Sequence, residues 1–437
     1  MKLRVIENSG RKHSAYGLFS SYPDQFAAIL EDPAGTGCQF LVSRSGDSLA
    51  LPQHTSHATA SKFLSGWKQQ LAGPPLPSPA IRCLIYAAYE AGALIEVMPT
   101  AKSSIPGPLL WTLYPDFSLC FDADNIHIAA RDEDALQCAL DMLDEQPKVH
   151  MQTASCLLVN TNVTSAAQYK QAVRRVKAYI AAGDLFQANI ARFWQVRFEA
   201  FGLLALYDRL RRVNSAPFSA CVDIVSEESP DDHLQLLSAS PERLFRMHTD
   251  GRVDSRPIAG TRRRAKGDRD DSLRQELLLS EKERAEHIML VDLERNDLGR
   301  VCQPGTVEVN ECMVVEQYAT VQHIVSNVRG MLQAGMDVVD LFMAMFPGGT
   351  ITGCPKVRCM EVIHELEHNA RGPYTGGLGY VAWDGSADMN ILIRTIWHHQ
   401  GTLHWAAGAG IVADSDPDHE LIETEHKAEG LLRALST

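Results

Sequence analysis

Paired carboxylates are the side chains of this sequence with the most chemistry to offer. Glu283 and Glu286, followed by Leu290, fall at i, i+3 and i+7, so both carboxylates share one face of a helix. Glu420, Glu423 and Lys427 repeat the pattern near the C-terminus. Like charges at this spacing repel. Such a pair is either a solvated face, with Lys282 and Arg284 screening the first one, or half of a cation site. Hard oxygen ligands from two helices, with the remaining positions left to water and substrate, suit Mg2+.

Other candidates stand between and around these helices. Two Gly-rich turns, Phe346–Lys356 and Ala407–Ile411, let backbone N–H groups approach an anion, and the first leads into a helix N-terminus. A strand-end turn is the plainer explanation of both. Arg394, inside a strand Ile391–Thr395, needs an anionic partner if buried, and a substrate carboxylate is one candidate. Glu242 lies in Ser240-Pro-Glu-Arg between two strands, where a carboxyl of raised pKa acts as a general acid. His323 alternates onto the face opposite Gln322 and has a satisfied core histidine as its simpler reading. His398, His399 and His404 have no ligand framework and read as hairpin surface. No nucleophile elbow, P-loop or dinucleotide fingerprint occurs.

The elements that must hold these residues are legible in outline. Ser165 caps a helix in which Tyr169, Val173, Val176 and Ile180 recur before Gly183 stops it. Gln187 and Asn189 share one face of the strand that follows. A polar turn, Arg256–Thr261, precedes a helix at 272–296. Further helices are expected at 132–145, 338–345, 355–368 and 417–435, alternating with strands at 155–160, 235–238, 376–383, 391–397 and 403–407. The boundary between an N-terminal region, 1–150, and a catalytic region, 151–437, falls where Pro-rich loops give way to this pattern. The fold class is α+β, antiparallel sheets flanked by helices.

Composition excludes several functions. A net charge of −13 disfavours a nucleic-acid partner, and the run Arg262–Lys266, followed by Asp268, Asp270 and Asp271, reads as a solvated loop. No stretch offers the roughly 18 apolar residues of a membrane span. The ten cysteines are spread without a Cys-x-x-Cys pair, so reduced thiols are expected. With no secretory signal at the start, the cytoplasm is the default.

The motifs Gly183–Gln187, Ser240–Arg243, Pro257–Thr261, Glu286–Asp297, Phe346–Thr350, Gly353–Arg358 and Gly408–Asp414 occur in an order that resembles the chorismate-utilising enzymes. The resemblance, over about 165–430, is to the large ammonia-using subunits of anthranilate synthase and aminodeoxychorismate synthase. It implies antiparallel sheets packed in a sandwich, the N-terminal segment joining the same architecture. It further implies that Glu286 and Glu423 are the principal Mg2+ ligands, Glu283 and Glu420 assisting, with the metal holding the ring carboxylate of chorismate. Arg394, Lys427, Tyr374 and the amides of Gly408, Ala409 and Gly410 would bind substrate carboxylates, and Thr350 would position the ring. Glu242 would expel the C4 hydroxyl, and His323 matches an active-site histidine. Gln187, Ala259 and Thr261 complete the catalytic set.

Within the family, isochorismate and salicylate synthases carry a lysine base at Gln187, so the ammonia-using branch is favoured. Aminodeoxychorismate synthases commonly have a nucleophilic lysine at Ala259, whereas Pro-Ile-Ala-Gly-Thr is the usual anthranilate synthase form. Gln187–Ala191 and Asp388–Arg394 resemble the aminodeoxychorismate branch, as does the chain's shortness. The expected function is amination of chorismate to 4-amino-4-deoxychorismate, with anthranilate synthesis and a non-catalytic chorismate-binding scaffold as alternatives. Ile29–Ala34 departs from the Leu-Leu-Glu-Ser pattern of tryptophan binding. The resemblance also implies a separate glutamine amidotransferase subunit as partner.

Overall fold

The computed structural model describes all residues except 9–12, 33–36, 54, 97–104, 146–158, 199–201, 227–228, 264–274, 276–280, 318–320 and 437. Two antiparallel sheets, of twelve and ten strands, form the α+β fold. Side chains alternate between their faces, as the strand period of two requires. In the larger sheet, Phe40 and Val42 point to a core shared with Leu84 and Tyr86 of the smaller sheet, so the sheets face each other as a sandwich. Leu41 points outward to a second core with helices Glu133–Asp144, Leu203–Val213 and Pro417–Leu435. Cys83 and Ile85, on the outer face of the smaller sheet, join a third core with helices His57–Leu71, Ala166–Ala182, Val338–Met345 and Lys356–Leu366.

Strands from both sides of residue 150 build each sheet, those before it lying together at one end and those after it at the other. Glu31 pairs with Ser219 in the larger one, and Ala87 with Gly377 in the smaller. The expected caps are present: Ser165 caps its helix, in a capping box that Gln168 completes, and Gly183 ends that helix at φ 82°. The helix expected at 272–296 is Glu281–Gly299, and most of its first nine positions lie outside the described residues, as does most of the strand expected at 155–160. Among the described residues no helix is long and apolar enough to cross a membrane.

Four local expectations need correction. Ile391–Trp397 is not one strand. Ala387–Ile391 belongs to the smaller sheet and Thr395–His399 to the larger, and Arg394 turns the chain between them at φ 51°. Ala407–Ile411 is not a turn but the end of the strand Thr402–Ile411, because its glycines answer a need for space and not for curvature. The Arg256–Thr261 segment is largely strand, Ile258–Arg263, with a register shift between Ala259 and Thr261, where Gly260 adopts φ 58°. His398, His399 and His404 are half-buried, and His404 stacks on Trp397 at 5.7 Å. Cysteines distant in sequence also meet: Cys38 and Cys120 are neighbours, and both remain unbridged.

Candidate active site

The site grows out of two places where the chain steps from one sheet to the other. Ser229–Ser240 lies in the larger sheet and Arg243–Met247 in the smaller, and Pro241, which has no N–H for a ladder, occupies the step beside Glu242. Arg394 occupies the second step. The two are laced together: Ile391 N–H donates to Glu242 O at 3.0 Å, Ala239 N–H to Arg394 O at 3.1 Å, and Ser240 Oγ to Ile391 O at 2.5 Å. Arg243 closes the junction with a bidentate pair to Asp388, 2.7 and 3.0 Å. An acid and a cation far apart in sequence are thereby held side by side.

Glu242 is 7% exposed, and burial pushes its carboxyl up to about 7; Thr350, Lys427 and Arg394 pull in the opposite direction. These four residues therefore converge. Burial lowers the Arg394 pKa, and the Glu242 charge opposes that shift. His323, in the strand Val321–Met331, pairs across from Thr261, and burial followed by the Arg394 charge lowers its imidazole to about 4. It is neutral at pH 7. Ala259 pairs with Ile324 on the same ladder.

The floor is the antiparallel sheet partner of the Gly-rich strand. Asn189 pairs with Gly410 and Ala191 with Gly408, while Ala409 is fully buried opposite Ile190. A Cβ on Gly408 would lie 2.5 Å from Asn189 Oδ1 and 2.7 Å from the Tyr374 hydroxyl, and one on Gly410 2.5 Å from Gln187 Nε2. The glycines thus admit the side chains that define the floor. The side-chain carbonyls of Gln187 and Asn189 are buried without a hydrogen-bond partner among the described residues, and each can accept from an N–H donor. Lys427 Nζ donates to Gly408 O at 3.0 Å and to Glu423 at 2.8 Å.

The four carboxylates expected to hold Mg2+ divide between helices Glu281–Gly299 and Pro417–Leu435. Their hard oxygen donors suit the ion. Glu420 is buried, Glu283 and Glu286 are half-buried, and Glu423 is taken by Lys427. Among the described residues, no three acid, histidine or cysteine side chains stand close enough to hold a metal. The chemistry of the donor set fits the ion.

Sequence reasoning missed Glu294. It is 4% exposed, accepts Ser255 Oγ at 2.7 Å, and adjoins Gly349 of the loop carrying Thr350. Burial pushes it to about 7, with Asp297 adding to the shift. The signal was available, since Glu294 stands four residues from both Leu290 and Leu298 on the buried stripe of its helix. A cavity lined by Tyr169, Ala191, Phe193, Trp397 and His404 runs along the same strand and contains none of the expected site residues.

Residues 18–433 match the sequence pattern of the chorismate binding enzyme family. The chain belongs to that family. A Synechocystis anthranilate synthase component I-like protein is 43% identical over 355 residues, 79% of this chain and 71% of its own length. The Bacillus subtilis aminodeoxychorismate synthase component 1 is 49% identical over 269 residues, 61% of this chain and only 55% of its own length. Among solved structures, anthranilate synthase component I from Streptococcus pneumoniae superposes with a TM-score of 0.77 at 26% identity, covering 90% of this chain and 92% of that one. As a chorismate-binding enzyme of the anthranilate and aminodeoxychorismate synthase type, the chain has its acid, its cations and its Gly-rich strand around one site.

Proposed function

We propose that this chain aminates chorismate to 4-amino-4-deoxychorismate, using ammonia supplied by a separate glutamine amidotransferase subunit. The observation that carries this reading is the floor: the Gln187 and Asn189 carboxamide oxygens, buried without partners among the described residues, can accept N–H donors and include no base able to activate water. Asn189 and Asp388, the partner of Arg243, belong to the two stretches that resemble the aminodeoxychorismate branch, and the Bacillus subtilis relative bears that name.

Glu242 does the proton work. Held near 7 by burial, its carboxyl gives a proton to the C4 oxygen as the C–O bond breaks, so water and not hydroxide departs. Ammonia forms the new C–N bond and returns a proton to the carboxylate. The sum is chorismate plus ammonia giving aminodeoxychorismate and water. Arg394 and Lys427 meet the substrate carboxylates, and neutral His323 and Thr350 line the ring. Mg2+, held by Glu286 and Glu423 with Glu283 and Glu420, would neutralise a carboxylate of the dianion. The cytoplasm is the compartment this reading implies.

Ala259 favours a second reading, anthranilate synthesis, because the lysine that would attack C2 is absent. The Synechocystis relative's name points the same way. One incubation separates the two: chain, chorismate, Mg2+ and ammonium, with products identified by mass spectrometry. Aminochorismate retaining its enolpyruvyl group supports the proposal; anthranilate with stoichiometric pyruvate refutes it, and no turnover favours a chorismate-binding scaffold.

A further inference from the structure

Arg371 takes no part in the chemistry above, yet its guanidinium is 1% exposed and fully engaged. It donates to both oxygens of Glu367 (2.9 and 2.7 Å), to the carbonyls of Asn189 (2.8 Å) and Ile351 (3.0 Å), and to the Thr375 hydroxyl (3.3 Å). The Tyr89 ring lies 4.7 Å and the Tyr374 ring 5.6 Å from the guanidinium carbon. Glu367 in turn accepts the Ala191 N–H at 2.9 Å.

These contacts fall where the floor strand lacks a neighbour. Along that edge of Gln187–Arg197, Gly353–Cys354 pairs only with Gln187 and Ala188, and Val159–Val163 only with Trp194 to Arg197. Between them the Asn189 carbonyl and Ala191 N–H are taken by Arg371 and Glu367, which stand in for the missing strand. The same guanidinium reaches Ile351, next to Thr350, and Thr375, next to Tyr374. Thr375 adopts φ 61°, a conformation a β-branched residue keeps only when its surroundings impose it.

We propose that the Arg371–Glu367 pair is a positioning clamp for the substrate site, setting Asn189, Thr350 and Tyr374 relative to one another. This rests on the chain acting on chorismate and not on which product forms. Arg371→Lys keeps the charge and loses the planar fork; Glu367→Gln keeps the shape and leaves the guanidinium three other acceptors. Leu143→Ala, in the core with helix Glu133–Asp144, supplies a control of comparable thermal destabilisation.

Chorismate consumption with Mg2+ and ammonium gives kcat and KM per folded molecule, and calorimetry gives chorismate affinity. Both clamp variants are expected to lower kcat/KM about 100-fold, the effect of a displacement of about 1 Å, while Leu143→Ala stays within about threefold. Clamp variants that behave like Leu143→Ala overturn the proposal. Should Arg371→Lys fail to fold, Glu367→Gln decides. A wild-type chain that consumes no chorismate sinks the proposed function alone; the clamp is then read from affinity, and an unchanged affinity in the variants overturns it.

Discussion

Glu242→Gln should abolish turnover and, at alkaline pH, stabilise the protein. The side chain is 7% exposed, and its carboxyl rises from 4.5 to about 7 with burial as the leading cause. Below pH 4.5 the folded and unfolded chains both hold the proton. Between 4.5 and about 7 the unfolded chain releases it while the folded chain keeps it, so stability falls as pH rises and the full cost is present above 7. At about 1.4 kcal/mol per tenfold in proton affinity, that cost is on the order of 3 kcal/mol. With an unfolding entropy of about 2.1 cal/mol/K per residue over 437 residues, it corresponds to a Tm difference of roughly 3 °C. The amide cannot ionise, so variant minus wild-type Tm should grow by that amount between pH 5 and pH 8. Turnover should fall about 10²- to 10⁴-fold, the usual contribution of a general acid. Differential scanning fluorimetry across pH, beside a chorismate consumption assay, reads both. A Tm difference that does not change with pH, or a variant whose turnover stays within about tenfold of wild type, refutes the reasoning.

Three further outcomes are expected. Gly408→Ala must displace Asn189 Oδ1, the Tyr374 hydroxyl and the Ile190 carbonyl, so it should cost about 1–3 kcal/mol and weaken chorismate binding measured by calorimetry, whereas Gly410→Ala meets only the movable end of Gln187 and should be milder. Glu286→Gln should remove the Mg2+ dependence of turnover in a metal titration; unchanged dependence would sink its assignment as a ligand. The His323 imidazole, at about 4, should stay neutral at pH 6 by NMR, and titration near 6.5 would contradict the burial and Arg394 charge that hold it down.

Features set by a few neighbouring residues were legible in the sequence. Ser165 and Gly183 bound a helix by a local hydrogen bond and a left-handed residue, and both act as expected. The two-residue period places Gln187 and Asn189 together without knowledge of any partner strand. The acidic spacing identified which helices carry carboxylates, but helix spacing says nothing about the distance between two helices. A resemblance of motif order supplied Thr350 and Tyr374 and raised His323 above its reading as a core histidine, whereas Glu242 was already a candidate acid from its place between two strands.

What was not legible has one physical origin, the exchange of segments between sheets. Ile391–Trp397 is an apolar run that satisfies the strand pattern throughout, and only its hydrogen bonds to Gly376, Glu242 and Ala239 reveal that it changes sheets at Arg394. Arginine at φ 51° carries no local signal for a turn. At Gly408 and Gly410 the signal misled, because glycine serves close approach as well as curvature, and the atoms that need the space belong to Tyr374 and to a strand more than two hundred residues earlier. Both misreadings fall on the site itself. A single sheet alternates its side chains between two faces and cannot bring an acid from one strand end against a cation from another sheet; a chain that crosses twice at the same point can. The residues hardest to place from sequence are therefore those whose backbone leaves the regular ladder, and Glu242 and Arg394 meet because they do.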